Sequence, residues 1–225
     1  MYPIQHKRLI LAATGMVIAL AAVAEAQISD CIPGKLADYE RLGARGCTIG
    51  HKIFSNFAYH QAPNGPPSSA VSVTPGTVPD SNDSAVLFEA TWLTPSSGSS
   101  ISYDVAAALT GDPLSGASLE MQFGQITGTG QGRVAAELRV STASASICGP
   151  VQMTLTVFLG ASQSKKATDN GQLKHPARQV CAVTTVSIAS GKNGSASMDG
   201  FMTVFHSSAA LSASSPSPAP TEVGH

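Results

Sequence analysis

Apolar side chains recur at every second position through most of the chain. Val86, Phe88, Ala90 and Trp92 alternate with Leu87, Glu89 and Thr91. Ile101, Tyr103, Val105, Ala107 and Leu109 alternate with Ser102, Asp104, Ala106 and Ala108. The same pattern carries Leu119, Met121 and Phe123, then Val134, Ala136, Leu138 and Val140, then Met153, Leu155 and Val157, then Ala182, Thr184, Val186 and Ile188. Ile53–Tyr59 and Ala70–Thr74 read as further strands, and a last one is expected from Ala196 to Phe205, with Gly200 as a bulge. A period of two sends alternate side chains to opposite faces of a strand. About nine short strands separated by Gly-, Pro- and Ser-rich turns predict a sandwich or barrel rather than a βαβ sheet. Sheets with one apolar face must bury those faces together. The expected fold is mainly β, an antiparallel β-sandwich with the jelly roll among its topologies. Ile101, Tyr103, Val105, Val134, Leu138, Leu155, Val157 and Val186 are its expected inter-sheet core.

The period changes near the start of this region. Leu36, Tyr39 and Leu42 recur at helical spacing within Gly34–Gly43, and Gly43 supplies a stop. The predicted helix of about two turns is too short to persist alone. Ahead of it, His6, Lys7 and Arg8 precede an apolar run, Leu9–Ala24, and a small-x-small box at Ala24-Glu25-Ala26. These are the parts of a secretory signal with cleavage after Ala26. The run is shorter than the roughly 20 apolar residues of a membrane span, so no transmembrane helix is expected after cleavage. The organisation read from sequence is a signal peptide at 1–26, a β-sandwich domain at 27–206, and a Ser/Pro-rich disordered tail at 207–225.

Export changes the reading of the cysteines. Cys31, Cys47, Cys148 and Cys181 all lie beyond the signal, and an even count there predicts two disulfides. Of three possible pairings, Cys31–Cys47 and Cys148–Cys181 are favoured because each brackets one local segment. The first would clamp the helix. The second would close the Gly160–Gln179 excursion, whose Lys165, Lys166, Lys174 and Arg178 suggest a solvated hairpin tip. No Cys-x-x-Cys pair or Cys/His ligand spacing points to a metal. Without the signal the chain carries 11 basic and 13 acidic residues, a net charge of −2. Nucleic acid is therefore not an expected partner, since its binding needs clustered Lys and Arg.

The stretch Leu36–Tyr59 contains Leu42-Gly43-Ala44-Arg45-Gly46-Cys47-Thr48-Ile49-Gly50 followed by Phe54-Ser55-Asn56-Phe57. It resembles the opening of a group of uncharacterised secreted bacterial proteins of the PEP-CTERM-associated type, with a looser likeness reaching Asn193–Ser197. The resemblance implies export and a β-domain, and it carries over no catalytic residues. Sorted members of that group end in Pro-Glu-Pro, an apolar helix and a basic cluster. Pro220–His225 does not follow that pattern, so surface sorting of that kind is not expected.

Motif chemistry is sparse. A Ser/His/Asp site needs a nucleophile, a base and an orienter brought together, and the serines are too numerous to single one out. His51, His60, His175, His206 and His225 lie in no Gly-x-Ser-x-Gly elbow or HExxH helix. His51 and His60, nine apart, fall on opposite sides of a regular strand. Gly128-Thr129-Gly130-Gln131-Gly132 reads as a turn rather than a phosphate loop, and Asp80-Ser81-Asn82-Asp83 as a turn rather than a Ca²⁺ site. Glu89, Glu120 and Glu137 read as solvent-face carboxylates. Tyr39, Tyr59, Tyr103 and Trp92, besides the phenylalanines, are the aromatics available for stacking on sugars, with core packing the reading for Trp92 and Tyr103. No catalytic, metal or cofactor-binding residue is assigned, and no cofactor is expected. The leading expectation is a structural or adhesive protein of the extracellular space or envelope, with extracellular polysaccharide or cell-surface proteins as candidate partners. A carbohydrate-binding module and a secreted hydrolase are the alternatives.

Overall fold

A computed structural model describes residues 28–208, apart from 80, 95, 130–131, 145–146 and 161–163. The expected signal segment, and the expected tail from residue 209 on, lie outside the described residues. In chain order the elements are β1 (Gly34–Lys35), α1 (Leu36–Glu40), β2 (Cys47–Ile49), β3 (Lys52–His60), β4 (Ser72–Thr77), β5 (Ser84–Leu93), β6 (Ser96–Ala107), β7 (Leu114–Ile126), β8 (Arg133–Ser144), β9 (Ile147–Gly160), β10 (Lys165–Lys166), β11 (Thr168–Ala177), β12 (Gln179–Ala189) and β13 (Ala196–Ser207). Nine of the strands coincide with the nine read from alternation.

The strands form two antiparallel sheets, β1-β4-β5-β13-β7-β11 and β10-β9-β8-β12-β6-β3-β2. Pairing is nested. β5 lies on β13, β6 on β12, β7 on β11, and β8 on β9. A long hairpin rolled so that successive rungs fall in alternate sheets is a jelly roll, so the sandwich expected from alternation has that topology. All eight residues expected between the sheets are buried. Tyr103 of β6 sits at the centre, with its ring against Phe54, Phe57, Phe88 and Phe205 and its hydroxyl 2.6 Å from Thr203 Oγ1 on the facing sheet. Phe54 and Phe57 both face inward because Asn56, at φ 54°, bulges β3 between them. The Asn56 amide donates to Asp104 at 2.7 Å.

The structure corrects three expectations. Leu109 lies beyond the end of β6 and is 97% exposed. Phe123 faces outward, 71% exposed, because β7 and β13 carry compensating bulges between Met121 and Phe123 and between Met198 and Gly200. The bulge expected at Gly200 is thus present, and it moves the inward position of β7 from Phe123 to Gly124. A Cβ on Gly124 would lie 2.9 Å from Met121 Sδ. The basic excursion is not a hairpin tip. β10 folds back on β9, and β11 crosses to the far sheet to pair with β7, burying Leu173. Asp169 of β11 accepts the Thr156 N–H of β9 at 2.8 Å and pairs with Lys166 at 2.7 Å, which caps the edge of the seven-stranded sheet. At the other end of the domain, β13 takes in Ser207, and Ser208 N–H donates to Pro113 O.

Helix α1 is one turn long, held by Tyr39 and Leu36 in the core and by Tyr39 Oη donating to Ile32 O. Both expected disulfides are formed. Cys31–Cys47 ties the segment before α1 to β2, with Cα atoms 4.9 Å apart, and Cys148–Cys181 ties β9 to β12 across the end of β8, at 5.4 Å.

Candidate functional site

The outer face of the six-stranded sheet brings together three polar side chains from three separate segments. Ser118 of β7 and His206 of β13 are diagonal neighbours there, since Ser118 pairs with Val204 and His206 with Gly116. Ser118 Oγ lies 2.7 Å from His206 Nε2. His206 Nδ1 lies 2.9 Å from Asp83 Oδ2, in the residue before β5. The other carboxylate oxygen, Oδ1, accepts the Ser207 N–H at 3.1 Å. The three side chains are partly buried, with His206 34% and Asp83 20% exposed.

The electrostatics fix the direction of these bonds. Burial pushes the Asp83 carboxyl up, but hydrogen bonds from His206 and Ser207, and the charge of His206, outweigh it and hold the group below its ordinary value. An ionised carboxylate only accepts, so Nδ1 carries the proton facing it. In the neutral imidazole Nε2 is then bare and accepts the Ser118 O–H. Behind Asp83, Lys52 is buried and its ammonium donates to Asn82 O. Burial pushes the Lys52 amine down, against the charges of Asp83 and Asp112. The result is a hydroxyl hydrogen-bonded to an imidazole base that a carboxylate orients.

Because the folded carboxyl of Asp83 is lower than the unfolded one, its stabilisation is present above the unfolded value and is lost as pH falls through the folded value. At neutral pH, Asp83→Ala should cost about 1.5–3 kcal/mol, the worth of hydrogen bonds to a charged group. Urea unfolding at pH 7 and pH 3 should show the gap between wild type and variant shrinking on acidification. An equal gap at both values would remove Asp83 from the acid limb.

The other residues singled out from sequence fall as follows. His51, His60 and His175 are exposed, and His225 lies outside the described residues. Asp83 is the acceptor for His206, and Ser81 Oγ accepts the Asp83 N–H in the turn expected there; Asp80 lies outside the described residues. The Gly128–Gly132 turn joins β7 to β8, with Thr129 bridged to Lys192 and residues 130–131 outside the described residues. Glu89 and Glu120 lie on the six-stranded sheet with β13 between them, and Glu137, paired with Arg139, lies on the other sheet. Trp92, Tyr103 and Tyr39 are buried, and Tyr59 donates to Pro66 O. Among the described residues the exposed aromatic is Phe123. It stands opposite Gly200, which places no side chain beside the ring, in a neighbourhood that includes Glu89 and Gln125. Among the described residues no group of His, Cys, Asp and Glu could hold a metal.

Sequence alone assigned no catalytic residue, so Ser118, His206 and Asp83 were not grouped. The distances along the chain, 88 residues from Ser118 to His206 and 123 from Asp83 to His206, put the set beyond any short motif.

No family model and no curated protein matches the chain. Among solved structures it is similar to the carbohydrate-binding module CsCBM6-3 of Clostridium stercorarium, solved in complex with cellobiose. That match has 16% identity, covers 81% of this chain and 99% of that one, and has a TM-score of 0.29. It is also similar to the enzymatically active domain of tailspike protein 4 of bacteriophage CBA120, at 12% identity and a TM-score of 0.26, covering 69% of this chain and 19% of that one. At such scores neither likeness bears on function. The class defined by the strands themselves is a disulfide-linked β-sandwich of jelly-roll topology.

Proposed function

We propose that the chain is exported and serves in the extracellular space or cell envelope as a structural or adhesive module. The observation that carries this reading is that all four cysteines are joined, in two bridges at separate places in the fold. Disulfides of this kind form and persist in oxidising compartments. The signal-like segment at 1–26 and the resemblance of Leu36–Tyr59 to secreted proteins of the PEP-CTERM-associated type support it. So does a charge content of only 12%, which leaves a surface of Ser, Thr, Gly and amides. Among the described residues no helix is long and apolar enough to cross a membrane. Expressed from its full sequence in a bacterial host, the protein should be recovered outside the cytoplasm, begin at Gln27 and contain no free thiol. Unprocessed chain with reduced thiols in the cytoplasm would overturn the reading.

A second reading is favoured by Phe123. An exposed ring beside a glycine, with carboxylate and amide side chains nearby, is an arrangement on which a sugar ring can stack while its hydroxyls are hydrogen-bonded. Titration against soluble polysaccharides should find a ligand whose affinity falls about tenfold or more in Phe123→Ala, the loss typical of an aromatic anchor. Equal binding by both proteins would remove Phe123 from the surface.

A further inference from the structure

We propose that Ser118 is a nucleophile activated by His206 and that the outer face of the six-stranded sheet hydrolyses small carboxylic esters. The proposal is independent of the structural role above. Three features carry it. The bonds run Oγ–Nε2 and Nδ1–Oδ2, at 2.7 and 2.9 Å, in the order that transfers a proton from serine to imidazole and holds the imidazole in the required tautomer. Each group is anchored by a different part of the fold: Ser118 in β7, which is paired on both sides, His206 at the end of the neighbouring strand, and Asp83 by the backbone of Ser207. The base also remains partly exposed on an open face, so a substrate can approach from solvent.

The chemistry balances with water as co-reactant. As Ser118 Oγ bonds to the acyl carbon, its proton passes to Nε2. The ester C–O bond breaks and the alkoxide leaves with that proton. Water then adds to the acyl carbon, gives a proton to Nε2, and the Oγ–acyl bond breaks with the proton returning to Oγ. The net reaction is ester plus water to acid plus alcohol. Asp83 is a positioning residue here, since it acts on the imidazole alone.

The surroundings set the substrate class. Glu120 is two residues along the same strand face as Ser118, and Asn170 of β11 is the cross-strand partner of Ser118. A carboxylate beside the nucleophile repels acyl groups that carry negative charge. That favours an uncharged acyl group, such as acetyl.

The test uses the whole protein with both disulfides formed. A fluorophosphonate probe followed by peptide mapping should place the label on Ser118. p-Nitrophenyl acetate should be turned over through a Ser118 acetyl adduct visible in the intact mass. Ser118→Ala should lose both signals. His206→Gln should lower turnover on the order of 10²-fold or more. Ser187→Ala, on the other sheet, should retain both. Folded wild-type protein that carries no label at Ser118, or a Ser118→Ala variant that hydrolyses the ester at the wild-type rate, would overturn the assignment. The wild-type label needs no variant to fold, so the outcome stands even if a substitution unfolds the sandwich.

Discussion

Replacing Tyr103 by alanine should destabilise the protein by about 3–5 kcal/mol, the range for an aromatic residue removed from a packed core. The ring is 1% exposed and meets four aromatic neighbours drawn from both sheets. Its removal leaves a cavity where the sheets face each other, and strands paired on both sides cannot collapse readily to fill it. The hydroxyl adds a separable part. Tyr103→Phe keeps the packing but leaves Thr203 Oγ1, itself fully buried, without its 2.6 Å partner. An unsatisfied buried polar group costs about 1–3 kcal/mol. Urea denaturation should therefore rank wild type, Tyr103→Phe and Tyr103→Ala in that order. A midpoint unmoved by Tyr103→Ala would mean that the two sheets do not meet at this ring. Leu155→Ala, nearer one end of the same core, should cost about 2–5 kcal/mol on the same grounds.

The order of magnitude of these effects explains why the core was legible in the sequence. Val134, Ala136, Leu138 and Val140 alternate strictly because β8 lies between two strands and a one-residue slip would expose all four. Alternation failed where the strand itself is irregular. Phe123 has the parity of an inward residue, and only the paired bulges of β7 and β13 turn it outward. Gly124 carried a usable signal, because glycine inside a strand often marks such a bulge. β11 was missed for a different reason. Thr168–Ala177 has a single buried apolar side chain, Leu173, and is held by backbone pairing to β7 and by Asp169 rather than by a stripe. The Ser118–His206–Asp83 set was not legible at all. Its members come from three segments that the rolled hairpin brings side by side, and serine on a solvent face is ordinary in this composition. Closure of β5 and β7 onto β13 creates the site, and that is information held in topology rather than in local pattern.

Removing the Cys148–Cys181 bridge should cost more than removing Cys31–Cys47, and each double alanine variant should remain a sandwich. The bridges close loops of 33 and 16 residues. On a chain-entropy basis these contribute about 3.7 and about 3.1 kcal/mol, through the freedom they deny the unfolded chain. The folded state separates the two further. Cys148–Cys181 spans β8 and so fixes β9 to β12, strands that hold Leu155, Val157 and Val186 in the core. Cys31–Cys47 fixes the segment before α1, whose other ties include the Cys31 N–H to Thr48 O, the Thr48 N–H to Ser29 O, the Thr48 hydroxyl to Asp30 Oδ1, the short pairing of β1 with β4 and the Tyr39 hydroxyl to Ile32 O. Loss of the first bridge should lower the melting temperature of the whole domain in one transition. Loss of the second should give a smaller global shift together with faster amide exchange confined to the residues around α1 and β2, because that unit can open while the jelly roll stays closed. Hydrogen exchange by mass spectrometry on the two variants would decide it. Equal, global loss of protection in both would show that the N-terminal segment is integral to the sandwich rather than fastened to it.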